Sequence, residues 1–375
     1  MSGPYRAAVR EALAAGHRAV GLHAAESGSV VRAALLARDG TVSLQTGAAE
    51  DGHVPSLVDL APALAWDERE AADLYGLRFD GHEPLRPLVE HDLDLGHWTV
   101  PVRGHDAYQV AVGPIHAGVI ESGHFRFHVV GDRILHLDAR LFYKHRGLER
   151  AAEGQPLAGG LAYAQRACAA CAVSNSLAYA HACEDATGLV PPAELARVRT
   201  VLLELERVWS HLNDVSAICA GVGLAAGSTR FAALTERARR LNETLTGHRF
   251  LFGSVQVGGS ALAVDAPAAA AARAELASLG EEARSGLREL RFNASFVDRL
   301  PGVGVVTAAD ARLLGATGPA ARAKVTGASG TPGRFQTPDI VARSSESLAS
   351  YAAPVAGILS STLAPSRPST GTSWP

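Results

Sequence analysis

The chain has 375 residues, of which 47% are hydrophobic, so it can bury a sizeable core and hold two globular units. Its 35 Lys and Arg against 38 Asp and Glu give a net charge of −3, which argues against nucleic acid and charged lipid headgroups as partners. Four Cys are too few for a disulfide framework. Two of them lie three residues apart, so metal or redox chemistry in the reducing cytosol fits best.

The first residues, MSGPYRAAVREALAAGH, carry scattered charges and lack the apolar centre of a signal peptide. No run of about 18 apolar residues occurs, so no membrane-spanning helix is expected. Any association with a membrane is therefore expected to run through partner proteins.

The first part of the chain is predicted to be a small α/β domain. A helical pattern covers Tyr5–Ala15, and β-like runs cover His17–His23 and Val30–Ala37. A connector is expected from Glu90 to Gly113, where Pro101 and Gly104 interrupt the pattern.

A β-hairpin is predicted next, with strands His124–Val130 and Arg133–Leu141 joined by a turn at Gly131 and Asp132. The Ala-rich stretch Gly159–Glu184 is then predicted to form one helix.

Pro191 and Pro192 open a long amphipathic helix, and Glu204, Glu206 and Arg207 fall largely off its apolar stripe. The stripe consists of Leu195, Val198, Leu202, Leu205, Trp209 and Leu212.

Further helices are predicted over Phe231–Thr246 and Pro267–Leu290, and a tail rich in Ser, Thr, Pro and Gly is expected to be disordered. The expected fold class is α+β. A small α/β domain at 1–95 precedes a mainly helical core at 96–326 that begins with the hairpin, and the tail covers 327–375.

The sharpest local signal is the pair Cys168 and Cys171. On one helix, residues three apart share a face, so two sulfurs there can grip one metal ion, and Arg166 is placed to lower a thiol pKa or to hold an anion. Cys183 is too far along a continuous helix, roughly 18 Å, to complete a zinc site. Spacing alone leaves three alternatives: a metal half-site, a redox dithiol, and two small buried side chains.

Two other clusters contain titratable groups. His116, Glu121 and His124 lie around the start of the hairpin, where a carboxylate and two imidazoles suit proton transfer. Glu149 follows the basic run Tyr143-Lys144-His145-Arg146 at the start of a helix, which by itself is typical of a solvated helix start.

Taken in order, these segments resemble the large subunit of the membrane-bound nickel–iron hydrogenases related to complex I, and the 49-kDa subunit of complex I. The resemblance runs from about Gly113 to Arg322, and Trp66–Leu88 is similar to the 30-kDa complex I subunit. The segments that carry it are GPIHAGVIESGHFRF, LFYKHRGLER, the Cys pair, ERVWSHLNDVSAIC and GHRFLFGSVQVGG.

The resemblance implies that Cys168 ligates nickel and that Cys171 bridges nickel and iron. It also implies that Glu121 passes protons, with His124 and Glu149 as further catalytic candidates. In the 49-kDa relatives the same cavity binds a quinone headgroup. We therefore assign His116, Arg166 and Arg322 as candidate cofactor-binding residues, although the quinone-type spacing His-Pro-x-x-His-Gly is absent.

Two departures from the hydrogenase pattern matter. Ala169 stands where that pattern usually has Gly, and no Cys follows Cys219, so the family's second Cys pair is missing. Two thiolates are too few for a four-thiolate nickel site, so hydrogen turnover is not expected. A truncation or frame change after about Thr326 and a natural variant both remain open.

The expected function is that of an electron-transfer subunit of a hydrogenase-like or NADH–quinone-oxidoreductase-like complex. Its expected partners are an iron–sulfur small subunit and membrane subunits, on the cytoplasmic face of the cell membrane. A non-catalytic or truncated scaffold subunit, and a structural zinc or dithiol protein, are the alternatives. No G-x-G-x-x-G lies between a strand and a helix, so no direct NAD site is expected.

Overall fold

The computed structural model describes residues 3–89, 99–100, 102, 104–114, 122–262, 264–300 and 305–314. The chain divides into two compact units. Residues 1–146 with 306–333 form unit 1, and residues 147–305 with 334–375 form unit 2. The predicted tail at 327–375 lies outside the described residues, and the predicted boundary between residues 95 and 96 stays a prediction.

Unit 1 begins with helix α1 and an antiparallel sheet in the order β1-β2-β3. Alternate residues of the central strand β2, Val31, Ala33 and Leu35, are fully buried, because one face of the sheet packs into the core of the unit. The elements are α1 Pro4–Ala14, β1 Arg18–Ala25, β2 Val30–Leu36 and β3 Val42–Ala48.

A second, parallel pair of strands flanks helix α2 in unit 1. The buried carboxylate of Glu68 on α2 accepts hydrogen bonds from the Ser56 hydroxyl (2.8 Å) and the Leu57 backbone N–H (2.6 Å), which ties α2 to the chain after β4. The elements are β4 His53–Pro55, α2 Ala65–Tyr75 and β5 Arg78–Asp80.

The predicted hairpin is confirmed, and it belongs to a three-stranded sheet, β6-β7-β8. β7 covers His124–Val130 and β8 covers Arg133–Arg140, with Val130 paired to Arg133 across the turn. The third strand, β6, covers Tyr108–Val112 and pairs with β7. It lies within the stretch that was predicted to be a connector, since Pro101 and Gly104 obscured its short apolar alternation.

Unit 2 is helical, as predicted. Its longest helices, α6, α7 and α8, pack in succession around two apolar clusters that include the buried Trp209 and Leu202 of α6. Short elements complete unit 2, and helix α10 belongs to unit 1. The elements are α3 Leu148–Ala152, α4 Leu157–Ala164, α5 Ala172–Thr187, α6 Ala193–Gly221, α7 Ala225–Thr246, β9 Val255–Gln256, β10 Gly259–Ser260, α8 Ala266–Phe292, α9 Ala294–Asp298 and α10 Ala308–Leu313.

The α+β fold class is thus confirmed: small sheets precede a helical core. Among the described residues, no helix combines the length and apolarity needed to cross a membrane.

Candidate functional site

The Cys pair lies in a turn between α4 and α5, and not inside one helix as the Ala-rich sequence predicted. Cys168 is extended (φ −151°, ψ 126°), and a 3₁₀ turn over Ala169–Cys171 leads into α5. The backbone N–H of Cys171 donates to the carbonyl of Cys168 at 3.1 Å. The chain therefore reverses locally between the two cysteines, which brings them together without a continuous helix.

Contacts from distant segments explain why the helix is interrupted. The side-chain oxygen of Gln165 accepts a hydrogen bond from the Gly253 backbone N–H at 2.8 Å. The carboxylate of Glu206 accepts from the backbone N–H groups of Val173 (2.5 Å) and Ser174 (3.1 Å). Glu206 thereby satisfies N–H groups in the first turn of α5 that have no partner within the helix, and this helix start overrides the local propensity of the Ala-rich sequence.

The two thiols of the turn touch each other. Cys168 is half-buried and Cys171 is exposed, and neither is part of a disulfide. The pKa of Cys171 is raised, first by its hydrogen bond with Cys168, then by partial desolvation of the thiol, and then by the negative charges of Cys168, Glu206 and Asp214. The lowering of a thiol pKa that Arg166 was expected to produce is not seen at Cys171, because the hydrogen bond with Cys168 and desolvation raise the pKa of that thiol. A role for Arg166 in holding an anion stays a prediction.

Two carboxylates of α6 thus belong to the surroundings of the Cys pair. Burial raises the pKa of Glu206, and desolvation raises the pKa of Asp214. Sequence reasoning missed both residues and placed Glu204 and Glu206 off the buried face, whereas both are buried. A usable signal was present: Glu204 and Glu206 flank Leu205 in the apolar middle of a long helix, where an ordinary surface residue is not expected.

Arg166 is engaged on the aromatic side of the turn. Its guanidinium donates to the Ala162 carbonyl at 3.0 Å and lies 5.5 Å from the ring centre of Phe252. Phe252 stacks on His248, with ring centres 4.6 Å apart. The His248 Nδ1 atom accepts from the backbone N–H groups of Phe250 (3.1 Å) and Phe252 (3.4 Å). The predicted motif Gly247-His248-Arg249-Phe250-Leu251-Phe252-Gly253 thus packs beside Arg166.

In unit 1, His124 is buried on β7. Its Nε2 atom accepts a hydrogen bond from the Arg126 Nε–H at 3.2 Å, and its ring lies edge-on to Tyr143 at 6.1 Å. Burial lowers the pKa of His124, and the positive charges of Arg126 and Arg140 lower it further. His124 is therefore neutral at pH 7, as a proton acceptor must be.

The same sheet contains a cluster that the sequence did not single out. The buried Asp138 accepts hydrogen bonds from His128 (2.8 Å) and His136 (3.0 Å). Burial opposes ionisation, but the hydrogen bonds from His128, the Val100 N–H and His136 lower the pKa of Asp138. Because His128 and His136 pair across β7 and β8, the hairpin register was the signal that could have revealed the cluster.

Of the remaining predicted residues, the structure describes only Glu149. Glu149 is exposed in the first turn of α3 in unit 2. His116, Glu121 and Arg322 lie outside the described residues, so their roles stay predictions. Of the predicted site residues, the structure brings Cys168 and Cys171 together in one turn, and Arg166 lies just before that turn.

The Cys turn does not fit a four-thiolate nickel–iron centre. It supplies two thiols. The other two cysteines, Cys183 and Cys219, are buried in α5 and α6, and Cys183 lies twelve residues beyond Cys171, roughly 18 Å along the helix. The donor set of this chain therefore provides half of such a site, and no catalytic step is derived through that metal centre.

Two family matches cover separate parts of the chain. Residues 17–107 match the respiratory-chain NADH dehydrogenase 30 Kd subunit, and residues 222–329 match the 49 Kd subunit. The two families and their order are those expected from the sequence motifs, although the 49 Kd match covers only the second half of the expected stretch Gly113–Arg322 and does not reach the Cys pair.

Individual proteins that are similar to this chain come from hydrogenase-type and NADH-quinone-oxidoreductase-type complexes. Formate hydrogenlyase subunit 5 of Escherichia coli is 32% identical over 231 residues, covering 55% of this chain and 41% of the relative. The C/D 2 subunit of the NADH-quinone oxidoreductase of Aquifex aeolicus is 26% identical over 326 residues, covering 73% of this chain and 55% of the relative. The chain spans about half the length of the curated relatives that it matches.

Among solved structures, the membrane-bound sulfane sulfur reductase, an archaeal respiratory membrane complex, contains a chain with the same fold. The TM-score is 0.60 at 24% identity, covering 70% of this chain and 75% of that chain. At this identity the likeness establishes the fold alone.

Proposed function

Since the chain belongs to the complex-I-related family, with a 30-kDa-subunit segment ahead of a 49-kDa-subunit segment, we propose that it is an electron-transfer subunit of a membrane-associated respiratory complex. The complex is hydrogenase-like or NADH–quinone-oxidoreductase-like. Its other members in this proposal are an iron–sulfur small subunit and membrane subunits, and the chain lies on the cytoplasmic face of the membrane.

One observation carries this proposal: a single polypeptide contains both family segments in the order of the C/D relatives, with the Cys pair between them. The relatives named as hydrogenase and formate hydrogenlyase components supply the hydrogenase side of the proposal. Those named NADH-quinone oxidoreductase supply the quinone side.

Two residues have defined roles in this proposal. His124 is a buried neutral imidazole that can accept a proton, or bind a quinone oxygen after it is protonated or in its N–H tautomer. In this proposal Cys168 supplies a thiol that lies next to an iron–sulfur cluster of the small subunit. Two thiols do not complete the family's four-thiolate centre, so the proposal does not assume bound nickel or iron. The metal content of the complex is measured instead.

The test isolates the native complex through a tag on this chain and compares wild type with Cys168→Ser. We expect an iron–sulfur protein to co-purify with both, and quinone-linked dye reduction to fall at least tenfold in the variant. Cys183→Ala, which changes a buried thiol on α5 and outside the Cys turn, is the matched control and should keep the activity. Elemental analysis of the same sample measures nickel and iron.

The scaffold alternative is supported by the Cys turn, which supplies two thiols where the family's centre uses four. It predicts that Cys168→Ser assembles normally and that every electron-transfer activity of the complex is unchanged. Stoichiometric nickel in the wild-type complex would contradict the scaffold alternative. A bound nickel ion would mean that another subunit supplies the remaining thiolates and completes a metal site at the Cys turn.

A further inference from the structure

We propose that Cys168 and Cys171 are a redox-active dithiol, which a small-molecule disulfide oxidises to an intramolecular disulfide. This inference goes beyond the electron-transfer role and does not depend on it. It starts from the mismatch between two thiols and a four-thiolate centre.

The backbone of the turn holds the two residues at a separation suited to a disulfide. The hydrogen bond from the Cys171 N–H to the Cys168 carbonyl, 3.1 Å long, closes a four-residue turn. The Cα atoms at the ends of such a turn lie within about 7 Å. Disulfide-bonded cysteines have Cα atoms about 4.4–6.8 Å apart, so little backbone movement is needed.

The side chains point towards each other as well. The hydrogen bond between the two side chains that raises the pKa of Cys171 requires the sulfur atoms to lie within hydrogen-bonding reach of each other. Helix α5 begins only at Ala172, so both cysteines lie in the turn that precedes the helix.

Accessibility separates this pair from the other cysteines of the chain. Cys171 is exposed and Cys168 is half-buried, so a small reagent can reach the turn. Cys183 and Cys219 are 3% and 0% exposed. The chain therefore contains its own unreactive reference thiols.

The reaction is a thiol–disulfide exchange in two steps. One cysteine sulfur attacks the small disulfide, forms a mixed disulfide and releases one small thiol. The second cysteine sulfur then attacks the chain-bound sulfur and releases the other small thiol. Two electrons pass from the cysteine sulfurs to the reagent, and the two cysteine protons leave on the thiols released.

The test uses the purified full-length chain, reduced and desalted, and then treated with hydroxyethyl disulfide, an uncharged probe. Remaining thiols are blocked with N-ethylmaleimide under denaturing conditions, and tryptic peptides are weighed. Cleavage after Arg166 gives a peptide that contains Cys168, Cys171 and Cys183. We expect this peptide to lose two hydrogens between Cys168 and Cys171 while Cys183 carries the label.

Cys171→Ser keeps the reactive neighbour but removes the resolving sulfur, so it should accumulate the mixed disulfide on Cys168. Cys183→Ala should behave as wild type, and circular dichroism verifies that both variants fold. Three results would overturn the proposal. Cys168 and Cys171 of the wild type could both react with N-ethylmaleimide after the treatment, or each could carry its own mixed disulfide. The third is that neither thiol reacts with hydroxyethyl disulfide until a chelator removes a metal. Since the readout is mass, loss of electron-transfer activity leaves the result unaffected.

Discussion

Glu184 and Arg199 form a buried ion pair that makes further hydrogen bonds to the backbone. The Arg199 guanidinium donates to both carboxylate oxygens, at 2.9 and 2.5 Å, and to the Gln256 carbonyl at 3.0 Å. The Gly258 N–H donates to Glu184 at 2.7 Å. One residue pair thus joins α5, α6 and the β9–β10 hairpin, and it is stable only because each charge has its partner.

Removing one partner should therefore be costly. Glu184→Gln is expected to lower the free energy of unfolding by about 3–5 kcal/mol, because it leaves the Arg199 charge buried without a counter-charge. Urea denaturation followed by circular dichroism at pH 7 measures this. Glu281→Gln, an exposed site on α8, is the control and should change stability by less than about 0.5 kcal/mol.

The same variant gives a pH test with a definite sign. The hydrogen bond from Arg199 lowers the pKa of Glu184, so its folded pKa lies below its unfolded value of about 4.3. The contribution of Glu184 is complete above the unfolded pKa and is lost as the pH falls through the folded pKa. The stability gap between wild type and Glu184→Gln should therefore narrow below about pH 4, and a gap that widened there would contradict the assignment.

At the scale of elements, the start of α5 is fixed by a residue of α6. Glu206 accepts from the Val173 and Ser174 N–H groups. Glu206→Ala should cost about 1–2 kcal/mol, as loss of a helix cap does. Glu206→Gln should cost less, because its amide oxygen still accepts and burial already raises the pKa of Glu206. Denaturation curves of the two variants, with Glu281→Ala as control, decide this; equal losses would contradict the capping role.

The capping contact also explains which elements the sequence could predict. Periodicity located the hairpin strands and the helix at Ala266–Phe292 within a few residues, because each pairs a regular apolar pattern with a local stop signal. For the helix at Ala193–Gly221 it located the start, at the Pro191-Pro192 signal, but gave no end. The interruption at the Cys pair has no such local signal. Local composition favours a helix there, and contacts from Gly253 and Glu206, far along the chain, decide otherwise.

The site follows the same rule. Cys168 and Cys171 could be singled out because two cysteines separated by two residues are visible in the sequence. Glu206 and Asp214 were not, because their proximity to the thiols depends on how α6 packs against the turn. Contacts across the fold therefore set the electrostatics of the pair, while local sequence supplies only the pair itself.

At the scale of the whole molecule, the chain builds a separate apolar core in each unit. Leu35 of β2 is fully buried in the unit 1 core, and Leu202 of α6 is fully buried in a unit 2 cluster. Leu44 of β3, in contrast, is 55% exposed. These three leucines allow one chemical change to be compared in two cores and on a surface.

Leu35→Ala and Leu202→Ala should each destabilise their own unit by about 2–5 kcal/mol, the cost of lost burial plus the cavity left behind. Leu44→Ala should cost much less, because its side chain already contacts water. Hydrogen exchange read by mass spectrometry locates each effect, since amides of a core exchange through its opening. Faster exchange is expected in β1 and β2 for Leu35→Ala and in α6 and α7 for Leu202→Ala. If Leu44→Ala accelerated exchange in β2 as strongly as Leu35→Ala, the core of unit 1 would not be the one formed by the inner face of its sheet.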